Sequence, residues 1–201
     1  MLDWRKALVV VLTFASVGAA EAVSIVDTGP APAGTTLVSL NDQGVSFQHL
    51  GVTFNVSQAS SITSVEGWIG ALDSELGNVL FELHAGATPT GALLFSSLVA
   101  VGSGTDGWRG ATGLNWDVSA GDYTLTLIAQ PGFGGWMGTS PPNPAGTEWF
   151  INPLSGGWTT TTFNMGWRVG AQETTVPEPA TLLLVALGLA GLGWGRRQRV
   201  N

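Results

Sequence analysis

The sequence predicts an all-β protein: an antiparallel β-sandwich, jelly-roll-like, set between an N-terminal signal peptide and a C-terminal transmembrane helix. Three observations predict it. Apolar–polar alternations recur along the middle of the 201-residue chain, the period-2 signature of strands with one buried face. No stretch between Val23 and Thr175 carries a helical period of useful length. The chain holds 29 glycines and ten prolines, enough to punctuate many short strands with tight turns. Strands joined by turns, without alternating helices, build sandwiches rather than doubly wound sheets.

In chain order, residues 1–22 read as the signal peptide. Arg5 and Lys6 form a basic start, Ala7 to Ala19 an apolar stretch of 13 residues, and Ala20-Glu21-Ala22 an A-x-A cleavage site. Residues 23–170 form the β-domain. Thr36 to Leu40 and Val45 to Gln48 are short extended stretches. Val52, Phe54 and Val56 alternate with polar residues. Ile62 to Ile69 is a mixed strand holding Trp68. Ala71 to Leu76 suits a turn of helix. Val79, Phe81 and Leu83 share one strand face, with Leu80, Glu82 and His84 on the other. Leu93 to Val101 is apolar enough for burial on both sides. Leu114, Trp116 and Val118 alternate, and Gly121-Asp122 turns into Tyr123, Leu125, Leu127 and Ala129. Pro131 to Gly146 is the least strand-like stretch, rich in Gly and Pro, and a loop of this length is either functional or mobile. Glu148 to Ile151 is a short strand. Phe163, Met165, Trp167 and Val169 give the clearest alternation and close the domain.

Residues 171–181 are a linker containing Pro177-Glu178-Pro179, whose prolines favour extended backbone. Residues 182–195 form an apolar span, and residues 196–201 a basic tail with Arg196, Arg197 and Arg199. Fifteen residues of helix from Thr181 to Gly195 rise about 22 Å, against a bilayer core of about 30 Å. Snorkelling arginine stems and Trp194 at the interface extend the reach. The arginines place the C-terminus in the cytoplasm as a stop-transfer signal.

This tail resembles the PEP-CTERM sorting signal of Gram-negative bacteria. The matching features are Pro177-Glu178-Pro179, the short apolar span and the terminal arginine cluster. The resemblance implies an exosortase as partner, an integral membrane transpeptidase-like protease that removes the tail. It also implies export through the inner membrane, transient anchoring, and delivery to the cell surface or extracellular polysaccharide matrix. The body bears a looser likeness to small β-sandwich domains of bacterial surface proteins in this sorting class. That likeness rests on Ile62-Thr63-Ser64-Val65 with Trp68, Val79 to Leu83, Pro89 with Gly91 to Leu94, and Ala120 to Leu125. It implies a fold and no catalytic residues.

From Val23 to Thr175 there are eleven acidic residues against Arg109 and Arg168, a net of −9. Phosphate backbones would repel such a body, which argues against nucleic acid as a partner. With no cysteine there is no disulfide framework, thiolate zinc site or cysteine nucleophile.

Gly102-Ser103-Gly104-Thr105-Asp106-Gly107 matches G-x-G-x-x-G. The residues after it do not read as the helix whose N-terminus would hold a pyrophosphate, so a hairpin loop is expected. His49 and His84 are the only histidines and lack zinc-ligand spacing. Asp106, Asp117 and Asp122 near turns suit a structural calcium better than zinc. Solvated acidic turns are the simpler reading, and no cofactor is expected. Asn55-Val56-Ser57 is a glycosylation pattern inside a strand, read as chance.

Of seven tryptophans in the body, Trp68, Trp116 and Trp167 are expected in the core. Trp108, Trp136 and Trp158 stand beside glycines and are expected in loops, capping the domain or stacking on sugar rings. The sequence thus indicates a non-enzymatic structural or interaction protein. The alternative is a carbohydrate-binding module using Trp108, Trp136 and Trp158. A secreted hydrolase ranks third, because scattered carboxylates name no acid–base pair.

Overall fold

The computed structural model describes residues 22–30, 37–42, 47–71, 77–138, 146–152 and 154–173. The signal peptide, the Pro-Glu-Pro segment, the apolar span and the arginine tail lie outside the described residues. So does the expected helical turn beyond Ala71.

Twelve strands are present, and no helix occurs among the described residues. They are β1 Ala22–Asp27, β2 Leu37–Asp42, β3 Phe47–Val56, β4 Ser60–Ala71, β5 Gly77–Ala85 and β6 Leu93–Val101. The rest are β7 Gly104–Val118, β8 Gly121–Ala129, β9 Gly134–Gly138, β10 Glu148–Ile151, β11 Thr159–Thr161 and β12 Trp167–Glu173. Every pairing is antiparallel.

The pairings form two ladders. In one, β12 lies between β1 and β4, and β7 runs along the opposite edge of β4. Beyond Trp167, where β12 starts, β9 takes over the same edge of β4 and carries β2. The other ladder runs β6-β5-β8-β3-β10-β11. They join at β3, whose Phe47 and Gln48 pair with β2 while Leu50 to Val56 pair with β8. The pairing of Ala22 with Gln172 sets the start of β1 against the end of β12.

One hydrophobic cluster draws on both ladders. It includes Ile62, Val65 and Ile69 of β4, Trp167 and Val169 of β12, Val52 and Phe54 of β3, Val79, Phe81 and Leu83 of β5, and Leu125 and Leu127 of β8. Each such side chain, fully buried, contributes roughly 1.5–3 kcal/mol. Strict alternation cannot turn Ile62 and Val65 to the same side, because they are three residues apart. Register shifts between Ile62 and Ser64, and between Gly170 and Ala171, correct the phase. A bulge inserts the odd residue that lets both face inward.

The alternations in β3, β5, β8 and β12 mark the core face as expected: Val52, Phe54, Val79, Phe81, Leu83, Tyr123, Leu125, Leu127 and Val169 are buried. Four expectations need correction. Leu93 to Val101 is not buried on both sides; among the described residues β6 pairs only β5, and Leu93, Leu94 and Leu98 are exposed. Pro131 to Gly146 contains β9. Its Gly135 lies where an added Cβ would press on the Gly70 carbonyl and the Phe133 ring, so this glycine serves close strand packing rather than a loop. The expected hairpin loop shrinks to Gly102 and Ser103, because β7 begins at Gly104. Phe163 is exposed, and β12 begins only at Trp167 and runs on to Glu173.

Candidate functional site

The most chemically distinct surface is the outward face of β4 and its neighbours. Core residues Val65 and Ile69 fix the phase, so Glu66 and Trp68 point the other way. Trp108 of β7 pairs with Trp68, Trp136 of β9 pairs with Gly70, and Arg168 of β12 pairs with Glu66. Paired residues share a sheet face, so three tryptophans, one arginine and one glutamate come together there. All five are partly exposed.

The local contacts are specific. Trp68 and Trp108 meet edge to face, with centroids 5.2 Å apart and planes at 81°. The Arg168 guanidinium lies 4.0 Å from the centre of the Trp108 ring, a cation–π contact that spans β4. Arg168 Nε also donates to Asp27 Oδ1 at 3.2 Å across the β1–β12 pair. Gly110 and Gly170 lie against β4 itself: an added Cβ would strike the Val65 carbonyl at Gly110 and the Ser64 hydroxyl at Gly170. Gly166 lies against the base of Trp68, where an added Cβ would strike its Cβ. Such a face offers indole surface for the apolar side of a pyranose ring. Its charged groups lie within the same cluster for hydroxyls.

Sequence reasoning placed these residues differently. Trp108 and Trp136 are in strands, not loops. Trp158 lies in the β10–β11 connection, and among the described residues no ring contact joins it to the other two. Trp116 and Trp167 are buried, but Trp68 belongs to the outer face. Its phase against Val65 and Ile69 was the available signal.

The other titratable groups have local roles. Glu148 is only 3% exposed. Its Oε1 accepts from the Met165 N–H at 3.2 Å and its Oε2 from Trp167 Nε1 at 3.1 Å. Burial pushes its pKa up to about 8, against the lowering effect of those two donors. His49 accepts from the Ala129 N–H at 3.2 Å. Burial lowers its pKa, with Asp42 and Glu82 acting the other way. His84 lies 3.4 Å from Glu82 and within reach of the Gly91 carbonyl and Thr126.

A second polar chain runs from Trp149 Nε1 to Thr53 Oγ1 at 2.9 Å, to Thr124 and on to the Gly86 carbonyl. It satisfies hydroxyls that β8 buries on its outward side.

The G-x-G-x-x-G segment opens β7 rather than a helix, so it lacks the dipole a pyrophosphate site requires. Asp117 and Asp122 are exposed, and Asp122 accepts from Asn55 Nδ2 at 2.7 Å. No group of three or more acidic, His or Cys side chains converges on a metal position among the described residues.

Comparison with known proteins finds one family model that matches a segment near the C-terminus. The model of the PEP-CTERM protein-sorting motif matches residues 175–198. That range contains Pro177, Glu178, Pro179, Arg196 and Arg197, and its last residue precedes Arg199. No curated protein matches the chain. Among solved structures, the infectious bursal disease virus VP2 subviral particle aligns at 10% identity and TM-score 0.36, over 80% of this chain and 34% of that one. The Gt strain of the same virus aligns at 10% identity and TM-score 0.35, over 81% and 34%. The chain thus spans about a third of these proteins, at a similarity too low to carry an argument.

Proposed function

We propose that this chain, which carries a PEP-CTERM sorting motif, is an exported surface protein of a Gram-negative bacterium, handled at its C-terminus by an exosortase. The signal peptide ends at Ala22, residues 182–195 anchor the chain briefly, and Arg196, Arg197 and Arg199 hold the stop. The two ladders are read as the facing layers of a jelly-roll-like sandwich, supported by the single core they supply together. The domain is a structural and interaction component of the cell surface or extracellular matrix, and no reaction is assigned to it. The sorting-motif match at residues 175–198 carries this reading. Replacing Pro177, Glu178 and Pro179 with alanine is expected to leave an unprocessed, membrane-retained chain. Unchanged tail removal and release would defeat the proposal.

A second reading has one observation in its favour: Trp68, Trp108 and Trp136 share a partly exposed face with Arg168 and Glu66. We infer that this face binds extracellular polysaccharide by ring stacking, with Trp158 playing no part. Intrinsic tryptophan fluorescence should change on adding the producer's own polysaccharide. Trp108→Ala should weaken the response and Trp158→Ala should not. An indifferent wild-type spectrum would remove this reading and leave the sorting proposal standing.

A further inference from the structure

We infer that the free edge of β6 joins two copies of this chain, strand to strand. β6 is the outermost strand of its ladder and pairs only β5 among the described residues. Its sequence, Leu93 to Val101, is LLFSSLVAV. It contains no charge, proline or glycine.

Natural sheets blunt free edges with short strands, charges, prolines or bulges. The other edges here follow that practice. β1 has a register shift and Asp27. β11 is three residues long. β7 bears Arg109, Asp117 and two register shifts along β4. β6 has a single irregularity, opposite Leu83 and His84 near its start.

The edge is also held in place. Phe95 stacks on Trp116 with centroids 5.5 Å apart and planes at 7°. Val99 packs against the core and Val101 is buried. The opposite side presents Leu94 at 42% exposure, Ser96, Leu98 at 59% and Ala100. An anchored strand with free backbone groups is a template for another strand.

The partner chemistry follows from self-complementarity. An antiparallel pair about a two-fold axis at Ser96 sets Leu94 opposite Leu98 twice and Ala92 opposite Ala100. No charges meet, although each domain is strongly acidic. A closed two-fold contact uses the same patch on both copies and stops at a dimer. The junction, one nine-residue strand from each copy, has fewer than the roughly 20–30 residues a side of a standard interface. It therefore fills when chains are concentrated at a membrane or in a matrix. That point rests on the surface-component reading; the strand geometry does not.

The chain has no cysteine, so one added thiol is an unambiguous probe. Full-length Ser96→Cys, Ala100→Cys and Thr112→Cys chains are expressed with their own signals and oxidised on whole cells. Antiparallel partners lie about 4.5–5.5 Å apart, within disulfide reach. Ser96→Cys should give a dimer band, while Ala100→Cys and Thr112→Cys stay at background. Adding Leu98→Lys should lower the Ser96→Cys band roughly tenfold, the equivalent of about 1.4 kcal/mol. The band is scored in processed and unprocessed chains alike, so a sorting failure shows as retained tail and not as a lost dimer. A Ser96→Cys band no stronger than the two controls, or one insensitive to Leu98→Lys, overturns the inference.

Discussion

The buried carboxyl of Glu148 makes the stability of this domain depend on pH in a direction unlike most carboxylates. Its folded pKa of about 8 lies above the ordinary value of 4.5. Below pH 4.5 both folded and unfolded chains hold the proton. Between 4.5 and 8 the folded chain keeps it and the unfolded chain loses it, so stability falls as pH rises. His49 works the other way: burial depresses its pKa below 6.5, so its contribution is lost as pH falls below that value. Above pH 6.5 the histidine contribution is complete, and Glu148 sets the slope among the described residues. From pH 6.5 to 8 the loss is about 2 kcal/mol at 1.36 kcal/mol per unit. A domain of this size shifts about 2–4 °C per kcal/mol, so Tm should drop by about 4–8 °C. Glu148→Gln keeps an acceptor for Met165 or Trp167 and removes the proton equilibrium. Its Tm should be flat over the same interval and lie above that of the wild type at pH 8.5. Differential scanning fluorimetry of the exported domain is sufficient. A wild-type Tm that holds steady or climbs from pH 6.5 to 8 would refute the reasoning. So would a Glu148→Gln variant with the wild-type slope.

Further outcomes follow from particular contacts. Arg168→Ala removes a cation–π contact and an ion pair whose side chains are 35% and 45% exposed. It should cost about 1 kcal/mol or less, seen as a Tm drop that shrinks in high salt. Gly110→Ala would drive a Cβ into the Val65 carbonyl oxygen and the Glu66 Cα. Backbone cannot yield as a side-chain tip can, so the cost should be about 3 kcal/mol or more, read by urea denaturation. Phe81→Ala empties a fully buried position and should cost about 3–5 kcal/mol, with urea m unchanged if the fold is retained.

The sequence made strands legible where one face was buried and the other polar. Val52-Phe54-Val56 and Val79-Phe81-Leu83 are of that kind, because burial itself imposes the period. β9 escaped because Gly134, Gly135 and Gly138 have low strand propensity; at Gly135 the Gly70 carbonyl and the Phe133 ring come too close for a side chain. β6 was misread because an apolar edge strand and a doubly buried strand have the same composition, and only pairing separates them. The tryptophan face was half visible: the residue type pointed to it, but its assembly needs the β4–β7 and β4–β9 registers. Glu148 gave no signal, since one carboxylate in a short strand looks like any solvated one.

The placement of the β1 start beside the β12 end has a mechanical meaning. Both ends of the domain leave from one corner, and the tail continues from Glu173, the last residue of a strand bonded along both edges. Tension applied between that tail and the outer face of β4 would draw β12 lengthwise past its neighbour. The seven residue pairs from Trp167 to Glu173 then bear the tension together instead of opening one by one. A strand sheared in this way resists far more force than a strand peeled from its end.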